Sequence, residues 1–91
     1  RLVEAQILRA SDPVAAAAML RKATADHAAL FGTSNRQAGV FQNNLGVTLQ
    51  AAGDLAGATA ALKKAQAIWQ ATGLTDTPDA LNTANNLASL E

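Results

Sequence analysis

Cysteine is absent from this chain of 91 residues, and aromatic side chains make up only 3% of it. Without cysteine the chain can form no disulfide framework and no thiolate metal site. Seven basic residues balance seven acidic ones, so the chain carries no net charge at pH 7. A neutral chain lacks the electrostatic footprint of a nucleic-acid-binding protein and the positive face that an anionic membrane attracts. We therefore expect neither a nucleic acid nor a membrane as its partner.

Long apolar runs and reactive clusters are missing as well. No stretch of about 18 apolar residues could span a bilayer, and no secretory signal pattern is present. One histidine without cysteine or clustered carboxylates does not make a transition-metal site. No Gly-Lys-Ser/Thr follows the glycines as it would in a phosphate-binding loop. We expect a cytoplasmic protein that is not an enzyme and holds no metal or cofactor.

The residues that are present favour helices. Alanine, leucine, lysine and glutamine, all good helix formers, fill the segments between clear breaks. Asp12-Pro13 and Thr77-Pro78 have the residue types that begin helices, an N-cap followed by proline in the first turn. No alternation of the kind that marks a strand is present. The pattern predicts an all-α fold with five helices, at about 2–10, 13–31, 35–52, 55–72 and 78–90.

The sequence also repeats itself with a period of 42 residues. Asn43-Asn44-Leu45 returns as Asn85-Asn86-Leu87 at this offset. A pair of helices repeated at a fixed period indicates a stacked helical array. We therefore assign residues 1–91 to a single domain made of a partial repeat at 1–35, a complete repeat at 36–77 and a partial repeat at 78–91. Further matches at the same offset are Asp12 with Asp54, Leu20 with Leu62, Lys22 with Lys64 and Thr33 with Thr75.

The run NNLGVTLQAAGDLAGATAALKKAQAIW resembles the tetratricopeptide repeat. The residues that carry the resemblance are Leu45-Gly46 and Leu49 in the first helix, Gly53-Asp54 in the turn, and Ala58, Leu62 and Ala65 in the second helix. The period of 42 residues and the NNL start are most similar to the kinesin-light-chain variety. The resemblance implies a right-handed α-α superhelix of about five antiparallel helices. It also implies a module that binds a peptide or a segment of a partner protein in its concave groove.

The helix predicted at 35–52 has two different faces. Its apolar stripe is expected to pack on the partner helix, and its second face combines small apolar residues with amides and carries no charge. An asparagine amide offers both donors and an acceptor, a set that matches a peptide backbone. The candidate groove residues are Val40, Asn43, Asn44, Val47 and Gln50 on this helix, and Asn82, Asn85, Asn86 and Ser89 on the last helix.

Two roles remain open for the asparagine pairs. Their amides either hold the main chain of a ligand, as first-helix asparagines do in the family that the chain resembles, or bridge neighbouring repeats. Within each pair, Asn43 and Asn85 are placed better for the groove, and Asn44 and Asn86 for bridging. No lysine or arginine occupies the groove positions, so a clamp for a C-terminal carboxylate is not expected.

Both ends of the sequence fall within a repeat. Arg1 aligns with Asn43, and Glu91 aligns with Leu49 at the repeat offset. Solenoids need polar caps at their ends, so we expect either more protein on both sides or self-association through the terminal helices. The alternative function is a structural spacer or homo-oligomerisation module in a larger protein. The last helix alone would expose Leu81, Leu87 and Leu90.

Overall fold

A computed structural model of the chain describes residues 12–90, and all regular structure in this range is helical. The helices predicted at 13–31, 35–52, 55–72 and 78–90 are confirmed to within one residue at each end, and the helix predicted at about 2–10 lies outside the described residues. The all-α class is therefore confirmed. Helix α1 spans Pro13–Phe31, α2 spans Arg36–Ala51, α3 spans Leu55–Thr72 and α4 spans Pro78–Ser89.

Each of these helices begins at a side chain that caps it. Asp12 and Asp54 each accept a hydrogen bond from the backbone amide three residues later, at 3.2 and 2.9 Å. Asn35 and Thr77 cap α2 and α4 in the same way, at 2.9 and 3.3 Å. Such a cap satisfies an otherwise unpaired amide and stabilises a helix by about 1 kcal/mol. Asp12 and Asp54 are 42 residues apart, and so are Asn35 and Thr77. Positions that are equivalent in the repeat therefore cap successive helices in the same way.

Glycines with positive φ close the turns between the helices. Gly32, Gly53 and Gly73 have φ angles of 80°, 87° and 72°. A residue with a Cβ is strained in this region, so glycine is favoured there. Gly32 and Gly73 directly follow the first and third of these helices, and Gly53 lies in the turn after the second. The resulting turns are short and return the chain directly along the helix that precedes each of them.

Helix α3 packs antiparallel to α2 at close range. A Cβ added to Gly39 would lie 2.5 Å from the Trp69 ring, and one added to Gly46 would lie 2.5 Å from Cγ of Leu62. The earlier glycine of α2 meets the later residue of α3, and the later glycine meets the earlier residue, so the two helices are antiparallel. The two glycines are two turns apart on one side of α2. The large side chains of α3 therefore rest directly on the α2 backbone, as expected for a chain rich in small residues.

The core lies where α1, α2 and α3 meet. Leu20 and Leu62, which are equivalent at the repeat offset, are 1% and 0% exposed. Partly buried apolar side chains, among them Phe41, pack against the edge of this core. Because many of its members are alanines, the core depends on close helix packing more than on bulky side chains. The buried cluster consists of Ala17, Leu20, Leu45, Leu49, Ala58 and Ala61.

Helix α4 packs against α3 and, along one edge, against α2. Its contacts with α2 advance in the same direction along both helices, from Arg36 with Asp79 to Gln50 with Ser89. Helices α2 and α4 are therefore parallel to each other. Helix α2 has neighbours on three sides, which makes it the central helix of the described residues.

The leucines of the last helix are only partly exposed. Leu81 is 62% exposed, as expected. Leu87 is half-buried, and Leu90 packs against the buried cluster. The prediction that all three would be exposed is wrong for the last two, because α4 turns this side toward α3 and α2.

Candidate functional site

Helix α4 covers one part of the uncharged face predicted on α2 and leaves the other part open. Three polar residues of α2, spaced two helical turns apart, form hydrogen bonds with α4. They lie on one side of α2 because seven residues correspond to nearly two complete turns. These residues are Arg36, Asn43 and Gln50.

A chain of hydrogen bonds, buried at Trp69 and Thr83 and half-buried at Asn43 and Asn86, connects α3, α4 and α2. The indole Nε1 of Trp69 donates to Thr83 Oγ1 at 2.9 Å. The Thr83 hydroxyl lies 3.0 Å from Asn43 Oδ1 and 3.0 Å from the carbonyl oxygen of Asp79, so its proton is shared between two acceptors. Asn86 Nδ2 donates to the same Asn43 oxygen at 3.3 Å. Trp69 and Thr83 are 1% and 0% exposed. We call this set, Trp69, Thr83, Asn43 and Asn86, the α2–α4 network.

Two further contacts hold the ends of this helix pair. At one end Arg36 Nη2 lies 2.9 Å from Asp79 Oδ2, and Arg36 Nε donates to the same oxygen at 3.0 Å. At the other end Gln50 Nε2 donates to Ser89 Oγ at 3.3 Å. Both contacts are at the surface, where an ion pair contributes only about 0–1 kcal/mol. The partly buried network in the middle is therefore the main polar tie between α2 and α4.

The bridging asparagines are not the pair expected from the sequence. Asn86 bridges, as predicted, but its partner is Asn43 and not Asn44. Asn43, which the sequence places better for the groove, accepts hydrogen bonds from Thr83 and Asn86, because α4 lies against this side of α2. Within the described residues the Asn44 side chain makes no hydrogen bond, and Asn85 is exposed.

The remaining candidate residues of α2 lie on a surface away from Gly39 and Gly46, the glycines that contact α3. Those of α4 lie beside the hydrogen bonds that join α4 to α2. We call this surface the open face. On α2 it contains Val40, Asn44 and Val47, which are half-buried and lie within about 60° of one another around the helix axis. On α4 it contains three polar side chains that are exposed. These are Asn82, Asn85 and Ser89.

Sequence reasoning missed Thr83, which is the centre of the α2–α4 network. The threonine is aligned with Phe41 at the repeat offset, so the repeat gave no sign of a polar role there. One signal was available. Thr83 and Asn86 are three residues apart, and residues with this spacing share one side of a helix. Both could therefore reach a single acceptor on a neighbouring helix.

His27 has a structural position. The repeat offset aligns it with Trp69, which predicts a packing role. It is half-buried, its Nε2 lies 3.0 Å from Asn35 Oδ1, and its ring centroid is 5.0 and 5.3 Å from those of Phe31 and Phe41. The same Asn35 oxygen caps α2. His27 therefore supports the turn between α1 and α2.

Two features are absent from residues 12–90. None of the helices in this range has both the length and the apolar character needed to cross a bilayer. The same residues bring together no group of three or more histidine, cysteine, aspartate or glutamate side chains that could hold a metal ion.

Comparison with known proteins found no family model, no curated protein and no solved structure that matches this chain.

Proposed function

We propose that the chain is a module of the tetratricopeptide-repeat type, with the α-α superhelix expected from the sequence, and that it binds a segment of another protein. The support comes from the period. The hydrogen bonds between α2 and α4 join residues 43, 40, 43 and 39 positions apart, close to the repeat of 42 residues. Two parallel helices related by one period are the arrangement that a stacked array requires.

The observation that carries the binding proposal is the open face. It combines two valine side chains with amides and a hydroxyl, and it contains no charged residue. The valines would contact side chains of an extended segment, and the amides would pair with its peptide groups. The charged residues beside it, Arg36 and Asp79, neutralise each other at one end. The face therefore suits an uncharged or weakly charged segment.

The α2–α4 network supports this function indirectly. The half-buried amide of Asn43 accepts bonds from α4, so it fixes the spacing of the two helices that carry the open face. A face held at fixed spacing loses little conformational freedom when it binds, which favours affinity. We therefore assign the network a positioning role and assign ligand contact to the open face.

The experiment is a selection of random linear peptides displayed on phage against the full chain, followed by titration of enriched peptides with amide NMR spectra. The proposal predicts shifts at Val40, Val47 and Asn85. It also predicts that Val47→Lys weakens binding at least about tenfold, because it places a charge where apolar contact forms. Val14→Lys is the matched control, since Val14 is 67% exposed on α1.

Three results of this selection would contradict the proposal. One is a failure to enrich any peptide. The second is enriched peptides whose binding is equally weakened by the control substitution. The third is chemical shift changes confined to α1 and α3, which would place the ligand elsewhere on the protein.

A structural spacer or homo-oligomerisation module is the second candidate, and exposed Leu81 favours it. As a homo-oligomerisation module the chain would form a dimer or larger species by light scattering, and Leu81→Glu would return it to a monomer. A wild-type monomer at high protein concentration would contradict self-association. For either function we propose a cytoplasmic module that acts without catalysis.

A further inference from the structure

A second concave surface lies between α1 and α3, on the side of α2 that faces away from α4. It consists of two adjoining cavities with volumes of about 420 and 340 Å³. Four residues line both cavities, which makes them one continuous groove. We call this surface the α1–α3 groove. The shared lining residues are Thr24, Ala28, Gln42 and Lys64.

The length and the small wall residues of the groove suit a docked helix. Its floor is a stripe of α2 residues, Ala38, Gln42, Leu45 and Leu49, one on each successive turn. At 1.5 Å per residue this stripe is about 16 Å long. The walls are largely alanine, including Ala28 on α1 and exposed Ala60 on α3. Small wall residues permit the interaxial distance of about 8–10 Å at which helices pack.

The charge of the groove is of one sign. Arg21 and Lys64 stand at its edges, and no carboxylate is among the residues that line it. Arg21 lies 3.6 Å from Asp54, but both side chains are about half exposed, so this pair is weak. In the described part of the chain no carboxylate forms an ion pair with Lys64. The edges therefore favour acidic groups on whatever occupies the groove.

Thr24 provides an independent sign that the groove is incomplete. Four other threonines within helices donate to the carbonyl oxygen four residues earlier; these are Thr48, Thr59, Thr72 and Thr83. The hydroxyl of Thr24 is buried and has no hydrogen-bond partner among residues 12–90. Buried polar groups in folded proteins are nearly always paired. Because Thr24 lines both cavities, its side chain borders the space that a bound molecule would occupy.

We propose that the α1–α3 groove binds an amphipathic helix of a partner protein that carries acidic side chains beside its apolar stripe. Leu45 and Leu49 are already buried, so the apolar stripe would rest on the alanines of the walls, among them Ala28 and Ala60. The acidic side chains would meet Lys64 and Arg21. The contact of α3 with α2 shows how a helix seats on this protein, with large side chains received by small ones. The groove is separate from the open face, so one chain could hold two different segments.

The test is a display library of helical peptides with a fixed leucine stripe and randomised flanking positions, selected against the full chain. Selection should enrich aspartate and glutamate at the flanking positions. Affinity of the enriched peptides, measured by fluorescence anisotropy, should fall at least about tenfold in Lys64→Glu. Lys63→Glu is the matched control, because Lys63 is exposed on α3 and does not line the groove. This control should change the affinity by less than about twofold.

Two further variants locate the site. Ala28→Gln places a longer neutral side chain in both cavities and should also abolish binding, with its helical content checked by circular dichroism. Lys64→Glu remains decisive if Ala28→Gln does not fold. Val47→Lys, on the open face, should leave the affinity unchanged. Failure to enrich acidic helices, equal loss in Lys63→Glu and Lys64→Glu, or loss in Val47→Lys would each overturn the proposal.

Discussion

Replacing Thr83 with valine is the most direct perturbation of the α2–α4 network. Valine keeps the shape of the side chain, so no cavity forms, but it removes the acceptor of the Trp69 indole and the donor to Asn43. The indole N–H can only donate, and Trp69 is 1% exposed. An unpaired buried donor destabilises a fold by about 1–3 kcal/mol, and the lost bond to Asn43 adds about 1 kcal/mol. We expect the free energy of unfolding to fall by about 2–4 kcal/mol.

The chain provides its own probe for this measurement. Trp69 is its only tryptophan and lies in the core, so its fluorescence will report unfolding in urea. Linear extrapolation gives the free energy of unfolding, and an unchanged slope would show that the substitution affects stability and not compactness. For a domain of this size, a loss of about 2 kcal/mol lowers the melting temperature by roughly 8–16 °C.

Thr59→Val is the matched control for Thr83→Val. The Thr59 hydroxyl also donates to the carbonyl four residues earlier, at 2.9 Å, but within the described residues it joins no other helix. We expect its substitution to change stability by no more than about 0.5 kcal/mol. If Thr83→Val and Thr59→Val had equal effects, the network would contribute nothing beyond the bond inside its own helix, and the reasoning would be refuted.

Four other substitutions, two of them combined in one double-mutant cycle, test separate features of the packing. Asn43→Ala should destabilise the fold by about 1–2 kcal/mol. A double-mutant cycle with Asn86→Ala should give a coupling energy above about 0.5 kcal/mol. If the two losses were additive, the side chains of Asn43 and Asn86 would not interact. Gly46→Ala should destabilise by about 1–2 kcal/mol although alanine favours helices, because its Cβ would lie 2.5 Å from Leu62 Cγ; a rise in urea midpoint would contradict this. Thr24→Val should raise the free energy of unfolding by about 1 kcal/mol, since it removes an unpaired buried hydroxyl; a loss measured in the same assay would show that the hydroxyl is satisfied.

The helices and their caps could be predicted because their causes are local. Asp54 accepts from an amide three residues later in the chain, and this depends on no distant residue. Pro78 in the first turn of α4 and the positive φ of Gly73 are equally local. Capping by Asn35 shows the limit of such reasoning, because the neighbouring Ser34 is also a residue type that caps helices. The asparagine also accepts from His27, on another helix, and that contact is not visible in the sequence.

The position of the asparagines could not be predicted, because it depends on where α4 lies. Residues 43 and 44 differ by 100° around α2, so either of them could face a neighbouring helix. Sequence periodicity locates the apolar stripe of α2, but the side from which a parallel helix approaches is set by packing against α3. Thr83 was missed for the same reason. Its hydroxyl matters because Trp69 reaches it across the α3–α4 contact.

The hydrogen bonds of Thr83 have a consequence for how the protein opens. Helix α4 contains one buried residue, so taken alone it would be expected to fray first. Detaching it, however, would break the hydrogen bonds of Trp69 and Asn43 to α4 at the same moment and expose the buried indole to water. Amide protons of α4 should therefore exchange with solvent on the same timescale as those of α2 and α3, so that the edge helix and the central helix form one cooperative unit.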